Sequence, residues 1–287
     1  MNMSIIASAR LRERPFEYTA NGVTVVLKSG YAAGTTGTVD GDNSGKIYTA
    51  VNETQLRAII NEGDANTDLT GFCTTLVTNM EGNLSPSFEI TPFINSGSNQ
   101  DISSWDVSNV TNMASMFGGT SSFNQPLDNW DVSSVTDMTN MFDRASSFNK
   151  DINNWDVSSV TNMSLMFYLA SSFNQPLNNW DVSSVNSIRS MFDGTSSFNQ
   201  PLNSWDVSSV TNMVGVFVEA TSFNQPLDNW DVSNVTDMNF MFAIAEAFNQ
   251  DISNWCVTDI PTRPVNFDTG ADAWVLANSR PIWGTCP

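Results

Sequence analysis

The sequence predicts an α/β repeat solenoid, a right-handed coil with one short parallel strand and one short helix in each 25-residue unit. Three observations lead to this prediction. Tryptophans recur at one constant spacing, the apolar spacing changes period within each unit, and one unit alone is too small to bury its own apolar face. The tryptophans are Trp105, Trp130, Trp155, Trp180, Trp205, Trp230 and Trp255.

The strand is expected where apolar residues alternate. A typical unit reads F-N-Q-P-L-N-N-W-D-V-S-S-V-T-N-M-x-x-M-F-x-x-A-S-S, and Leu127, Trp130 and Val132 lie in its first half. The W-x-V alternation has period two, so Trp130 and Val132 point inward and Asp131 points outward. The tryptophans are therefore interpreted as core residues, although their faces would also suit a sugar-stacking platform.

The helix is expected in the second half of the unit. Its i, i+3, i+4, i+7 spacing, with Thr136 as the N-cap, is carried by Met138, Met141, Phe142 and Ala145. The methionine column on this stripe is interpreted as packing, and it comprises Met113, Met138, Met163, Met213 and Met238, with Ile188 in the same slot of one unit.

The array needs caps, because an open end of a solenoid exposes an apolar face. We expect a basic arm (1–14), a small β-rich cap with a helix over 53–62 (15–70), an irregular first repeat (71–98), the repeat array (99–255) and a C-terminal cap (256–287). Arg10, Arg12 and Arg14 make the arm basic. The arm either docks onto an acidic neighbour or is a plain chain terminus.

Composition narrows the function classes. Thirty acidic and eleven basic residues give a net charge of -19, which argues against nucleic acid as a partner. The absence of histidine removes catalysis by an imidazole base and histidine metal sites. No apolar run approaches the roughly 18 residues of a membrane span, and the N-terminus shows no signal-peptide pattern.

The three cysteines suggest one disulfide. Cys256 replaces the repeat aspartate and Cys286 lies next to the C-terminus. A bond between them would close a 30-residue loop and stabilise the last cap by roughly 3–4 kcal/mol. Such a bond favours an extracellular or virion-exposed setting. Cys73 is then expected to be a buried thiol.

The repeat string resembles that of a known family. The motif W-D-V-S-[SN]-V-[TN]-[NDS]-[MI], followed by F-N-Q-[PD]-[LI], is similar to the repeats of BspA-like leucine-rich-repeat surface proteins. The resemblance covers roughly residues 70–287, and the segment 48–63 resembles their lead-in. It implies a leucine-rich-repeat-like coil, and attachment or recognition at a cell surface without catalysis.

One aspartate per unit supplies the candidate site. We call these residues the aspartate column: Asp106, Asp131, Asp156, Asp181, Asp206 and Asp231. On stacked strands they would lie about 4.8 Å apart, and neighbours would repel by roughly 0.9 kcal/mol in water. They could accept turn hydrogen bonds as Asx residues do, bind calcium, or contact a ligand directly.

Three functions follow. The first is a surface-displayed recognition or adhesion protein that binds a protein or glycan on a cell surface. The second is a virion or appendage component docked through residues 1–50. The third is a glycan hydrolase using paired carboxylates, which near-identical units disfavour because an acid and a base need different environments. We favour the first and expect no cofactor, with calcium at the aspartate column as the alternative.

Overall fold

The computed structural model describes residues 14–40, 44–62, 67–84, 90, 91, 93, 94, 97–275 and 279–287. The N-terminal cap begins with a hairpin in which β1 (Phe16–Tyr18) pairs antiparallel with β2 (Val25–Leu27). A three-stranded sheet follows, in the order β3 (Thr36–Gly37), β4 (Tyr48–Asn52) and β5 (Phe72–Leu76). Strands β4 and β5 are parallel because a helix connects them.

That helix, α1 (Glu53–Glu62), spans the residues for which the sequence predicts a helix. Its N-terminus is a reciprocal cap, in which the Gln55 amide donates to Asn52 Oδ1 at 3.0 Å and the Asn52 amide donates to Gln55 Oε1 at 3.1 Å. Leu56 and Ile60 are buried in the same core as Trp105. Helix α1 thus covers the first face of the array. A short antiparallel pair, β6 (Asn83–Leu84) and β7 (Ile90–Thr91), completes the regular structure.

The repeat units stack in parallel register. One residue of each unit forms a parallel bridge to its equivalent in the following unit, and the first bridge joins Asn79 to Asn112. The bridged residues are Asn79, Asn112, Asp137, Asn162, Ser187, Asn212 and Asp237. At Asp137 the Thr136 amide donates to the Thr111 carbonyl at 2.9 Å, and the Met138 amide donates to the Asn162 carbonyl at 3.1 Å. Each unit is therefore bonded to both neighbours.

The W-D-V segment is not part of a strand, contrary to the sequence prediction. Residues 97–275, all of which the structure describes, contain only these single bridges. The Trp130 amide donates to the Leu127 carbonyl at 3.1 Å, and the Val135 amide donates to the Val132 carbonyl at 2.9 Å. In these turns the amides of Trp130 and Val135 donate within their own unit, whereas the amides of a parallel strand would donate to a neighbouring unit. The parallel pairing is consequently displaced to Asp137, and the right-handed solenoid class stays a prediction.

The expected helix is instead a run of turns. Amides of Met141, Asp143 and Ala145 donate to carbonyls three positions earlier. The alternate amides of residues 138, 140, 142 and 144 donate to carbonyls of the next unit, at residues 162, 164, 166 and 168. We call this segment and its equivalents the turn ribbon: residues 113–120, 138–145, 163–170, 188–195, 213–220 and 238–245.

The turn ribbon imitates helical spacing because its overlapping turns keep the same residues inside. Met138, Met141, Phe142 and Ala145 are all fully buried. A helix would bond the amides beyond its first turn to carbonyls four positions earlier in the same segment. The ribbon gives half of its amides to the next unit, and Asn140 and Arg144 take left-handed φ angles of 56°. Apolar periodicity alone cannot distinguish the two structures.

The tryptophans form the centre of the core, as the sequence predicts, and each is at most 4% exposed. Every repeat indole also donates to a backbone carbonyl of the preceding unit. The Trp155 indole N–H, for example, donates to the Leu127 carbonyl at 2.9 Å, and that of Trp180 donates to the Ile152 carbonyl at 3.0 Å. A buried tryptophan needs such a partner, and here the bond also joins adjacent units.

Columns of phenylalanine and asparagine continue these connections. Phe148 and Phe173 stack with their ring centroids 6.0 Å apart, and Phe173 and Phe198 repeat this spacing. At the surface, Asn124 Oδ1 accepts the Asn149 amide of the next unit at 3.0 Å. The same bond recurs from Asn99 through Asn224.

The C-terminal cap is fixed by a disulfide and by aromatic contacts. Cys256 and Cys286 are bonded to each other, whereas Cys73 is buried and its thiol donates to the Val25 carbonyl at 3.2 Å. Trp274 packs edge-on against Phe248, with 4.7 Å between the ring centroids. The last apolar face of the array is thereby covered.

Changing Trp180 to Phe should lower the free energy of unfolding by about 1–3 kcal/mol, because the Ile152 carbonyl keeps only the Trp155 amide as a donor and the smaller ring leaves a cavity in the core. Urea unfolding followed by circular dichroism measures this loss. Trp283→Phe in the half-buried C-terminal cap is the control, and equal losses in both variants would contradict the role of the indole bond.

Reducing the disulfide should lower the free energy of unfolding by about 3–4 kcal/mol, because Cys256 and Cys286 close a long loop. Thermal melts of the parent with and without reductant measure the effect. A variant with both cysteines changed to Ser should melt at the reduced parent's temperature and ignore reductant. Peptide mapping that links Cys73 to either partner would refute the pairing.

Candidate functional site

Each aspartate of the column is held by the serine two positions later. The Ser158 amide and hydroxyl donate to Asp156 Oδ1 at 3.1 and 2.6 Å, respectively. The amide bond recurs at all six positions. Asp106 is buried, whereas the other five aspartates are exposed. The structure therefore contains the Asx-type turn bonds that were one of the three interpretations.

At two positions of the column these bonds favour the ionised carboxylate. The hydroxyl and then the amide of Ser183 lower the pKa of Asp181. Ser233 lowers the pKa of Asp231 in the same way. Hydrogen bonds to the ionised form thus offset part of the repulsion expected between neighbouring carboxylates. In the described part of the chain, no group of three or more His, Cys, Asp or Glu residues is arranged to hold a metal ion.

The turn ribbon carries most of the differences between units that otherwise match. Two of the variable positions have left-handed φ angles, and they are occupied by Ser115, Asn140, Leu165, Ser190, Gly215 and Phe240 at the first and by Gly119, Arg144, Leu169, Gly194, Glu219 and Ile244 at the second. A left-handed residue other than glycine costs roughly 1–2 kcal/mol. Sequence reasoning missed this surface, although the variable x-x positions of the repeat mark it.

Two bulky ribbon residues, Leu169 and Ile244, each lie against a glycine further along the chain. A Cβ atom at Gly194 would lie 2.4 Å from Leu169 Cδ2, and one at Gly270 would lie 3.3 Å from Ile244 Cγ1. Phe240 and Ile244 remain 40% and 42% exposed. The ribbon surface is therefore specific to each unit, whereas the aspartate column repeats.

Two ribbon aspartates are shielded from water. Burial raises the pKa of Asp143 to about 6, against the lowering effect of Arg144. Burial, reinforced by the charge of Glu219, raises the pKa of Asp193 to about 7. Ionisation of these two groups therefore opposes folding near neutral pH.

Changing Asp193 to Asn should raise the melting temperature at pH 8 by about 2–4 °C and change it little at pH 4. In the folded chain the raised pKa favours the protonated form. The stability that Asp193 contributes is thus fully present below about pH 4 and is lost as the pH rises through about 7. Calorimetry across this range checks the effect. Asp181→Asn, where the pKa is lowered, should give no gain at pH 8.

Depressions occur along the surface of the array. One, of about 380 Å³, lies between the last units and is lined by Pro226, Asp228 and Asp251. Another, of about 340 Å³, lies where the β1–β2 hairpin meets the first two units, and Asp106 and Asp131 line it. At the second depression, residues of the β1–β2 hairpin lie beside the aspartate column and form a wall.

The N-terminal region contacts the array itself. The Val25 amide donates to the Ser104 carbonyl at 3.0 Å, and Asn21 Nδ2 donates to the Asn129 carbonyl at 3.4 Å. Arg14 donates to the Val39 carbonyl at 2.6 Å, within the cap. Arg10 and Arg12, the other residues of the proposed docking arm, lie outside the described residues.

The array also identifies the family. Residues 83–195 and 177–273 match the family model described as Mycoplasma protein of unknown function, DUF285, and the two ranges together span more than half of the chain. The chain belongs to this family. DUF285 is a BspA-like repeat family in general, so the resemblance is confirmed at that level. No curated protein and no solved structure matches the chain. None of the described helices is long and apolar enough to cross a membrane.

Proposed function

We propose that this DUF285 protein is a non-enzymatic recognition protein, displayed at a surface, that binds a cell-surface or extracellular ligand through its repeats. The observation that carries the proposal is the aspartate column. Five exposed carboxylates recur once in each successive unit, and each is held by a serine in the same turn. A ligand would meet a row of preorganised acceptors and lose little binding energy to ordering them.

The uniformity of the column supports binding over catalysis. A hydrolytic carboxylate pair needs one pKa raised and one low. Asp181 and Asp231 have the same serine partnership, and both pKa values are lowered. The column thus offers repeated acceptors and lacks the asymmetry that divides an acid from a base.

Charge and repetition favour particular ligands. The net charge of -19 favours hydrated neutral glycans or basic protein patches over anionic polymers. Repeated acceptors add avidity when the ligand itself repeats. The Cys256–Cys286 disulfide suits an oxidising, surface-exposed location, as does the resemblance of the 25-residue repeats to BspA-like surface proteins.

Changing Asp156 and Asp181 together to Asn should weaken surface binding about tenfold or more. Asparagine Oδ1 can still accept the serine bonds, so the fold should persist while two charges are lost. Binding to a printed panel of extracellular-matrix proteins and glycans measures the change.

The matched control is Asp137→Asn with Asp237→Asn, because Asn162 and Asn212 occupy that position in other units. This pair removes the same charge away from the column. Binding by the column variant that equals the parent's would show that the column is only structural. A chelator that lowers the melting temperature of the parent and not of the column variant would instead indicate calcium.

A further inference from the structure

The cavity beside the hairpin combines features that the remainder of the aspartate column does not share. Its volume of about 340 Å³ falls within the range of small-molecule pockets. It is lined by hydroxyl, amide and carboxylate groups together with apolar side chains, among them Asn21, Thr24, Val26, Ser108, Asn129 and Asp131. Asp156 and the later aspartates of the column lie on open surface.

The wall of this cavity is held in place. Asn21 Oδ1 accepts the amides of Val23 and Thr24, both at 2.9 Å, which fixes the tip of the hairpin. Asn21 Nδ2 donates to Thr24 Oγ1 at 2.9 Å and reaches the Asn129 carbonyl on the array. The hairpin is also anchored by the bond from Val25 to Ser104. The cavity is thus preformed between two bonded elements.

The lining selects the chemistry of a ligand. The side-chain amide of Asn129 and the hydroxyl of Thr24 supply donors, and the carboxylates of Asp106 and Asp131 supply acceptors, whereas the Asn21 side chain is already bonded within the wall. The residues around the cavity include Asp106 and Asp131 and no basic side chain, which disfavours anionic groups. An ammonium group only donates, and it would leave the amide and hydroxyl donors unpaired. Sugar hydroxyls both donate and accept, and the C–H face of a sugar suits Val26.

We propose that this cavity binds the terminal sugar of a neutral glycan, with Asp131 as the principal acceptor. The inference rests on the proposed recognition function and narrows its ligand to carbohydrate. The cavity lies at one end of the aspartate column. A glycan chain whose terminal sugar is bound here would extend along the exposed aspartates of the later units. Asp131 then differs in role from its equivalents in later units, although all of them share the same turn.

The test uses the full chain and a set of methyl glycosides of glucose, galactose, mannose and N-acetylglucosamine. Two-dimensional amide NMR should show saturable shifts at residues 21, 24, 26 and 129 with at least one glycoside. Asp131→Asn should weaken that binding about tenfold or more. Asp137→Asn, which removes the same charge away from the column and from a turn with the equivalent amide and hydroxyl bonds, should change it less than about twofold.

A second variant keeps the proposal open to refutation if Asp131→Asn disturbs the turn. Ala20→Phe adds bulk at the exposed rim of the cavity and should block the glycoside while the melting temperature stays unchanged. Unaltered binding in this variant would overturn the proposal. So would equal losses in Asp131→Asn and Asp137→Asn, or shifts produced by lysine methyl ester and by none of the glycosides. These results would leave the panel experiment on Asp156 and Asp181 as a separate test of the recognition function.

Discussion

The backbone bonds between successive turn ribbons are the constraint on which the rest of the array depends. Alternate amides of each ribbon donate to carbonyls of the following unit. Those bonds require units of equal length. One inserted residue would exchange the amides that donate within the unit with those that donate to the next unit. They also require the left-handed φ angles at Asn140 and Arg144. The aromatic columns, the asparagine bonds and the aspartate column inherit their spacing from this register.

The positions of the repeat fall into two groups, according to whether their side chains hydrogen-bond to the backbone. Tryptophan indoles and asparagine side chains complete backbone bonds between units, and the column serines complete those of the aspartate turns. Replacing the asparagines or the aspartates by apolar residues would leave backbone amides without acceptors. Apolar side chains at ribbon positions, such as Leu165 and Phe240, need no hydrogen-bond partner, and these positions differ from unit to unit. A uniform surface and a diverse surface therefore coexist on one scaffold.

The sequence predicts the period, the burial of Trp130 and the helix at Glu53–Glu62, because each depends on apolar spacing or on a local cap. It predicts a strand at Trp130 and a helix at Met138, where the structure has turns. Apolar spacing reports which side chains face inward and carries no information on where an amide is bonded. The same limit applies to the site: the positions of the aspartates could be read from the repeat, whereas the wall formed by Asn21 depends on its contact with Asn129, far away in sequence.

The fit of Leu169 over Gly194, and of Ile244 over Gly270, limits how such a gene can change in length. Equivalent interfaces would let recombination add or remove one whole unit without creating a new junction. Where a bulky side chain occupies the space above a glycine, however, a duplication or loss that puts a larger residue in place of the glycine has to displace that side chain. The number of units can therefore change more easily at some junctions than at others.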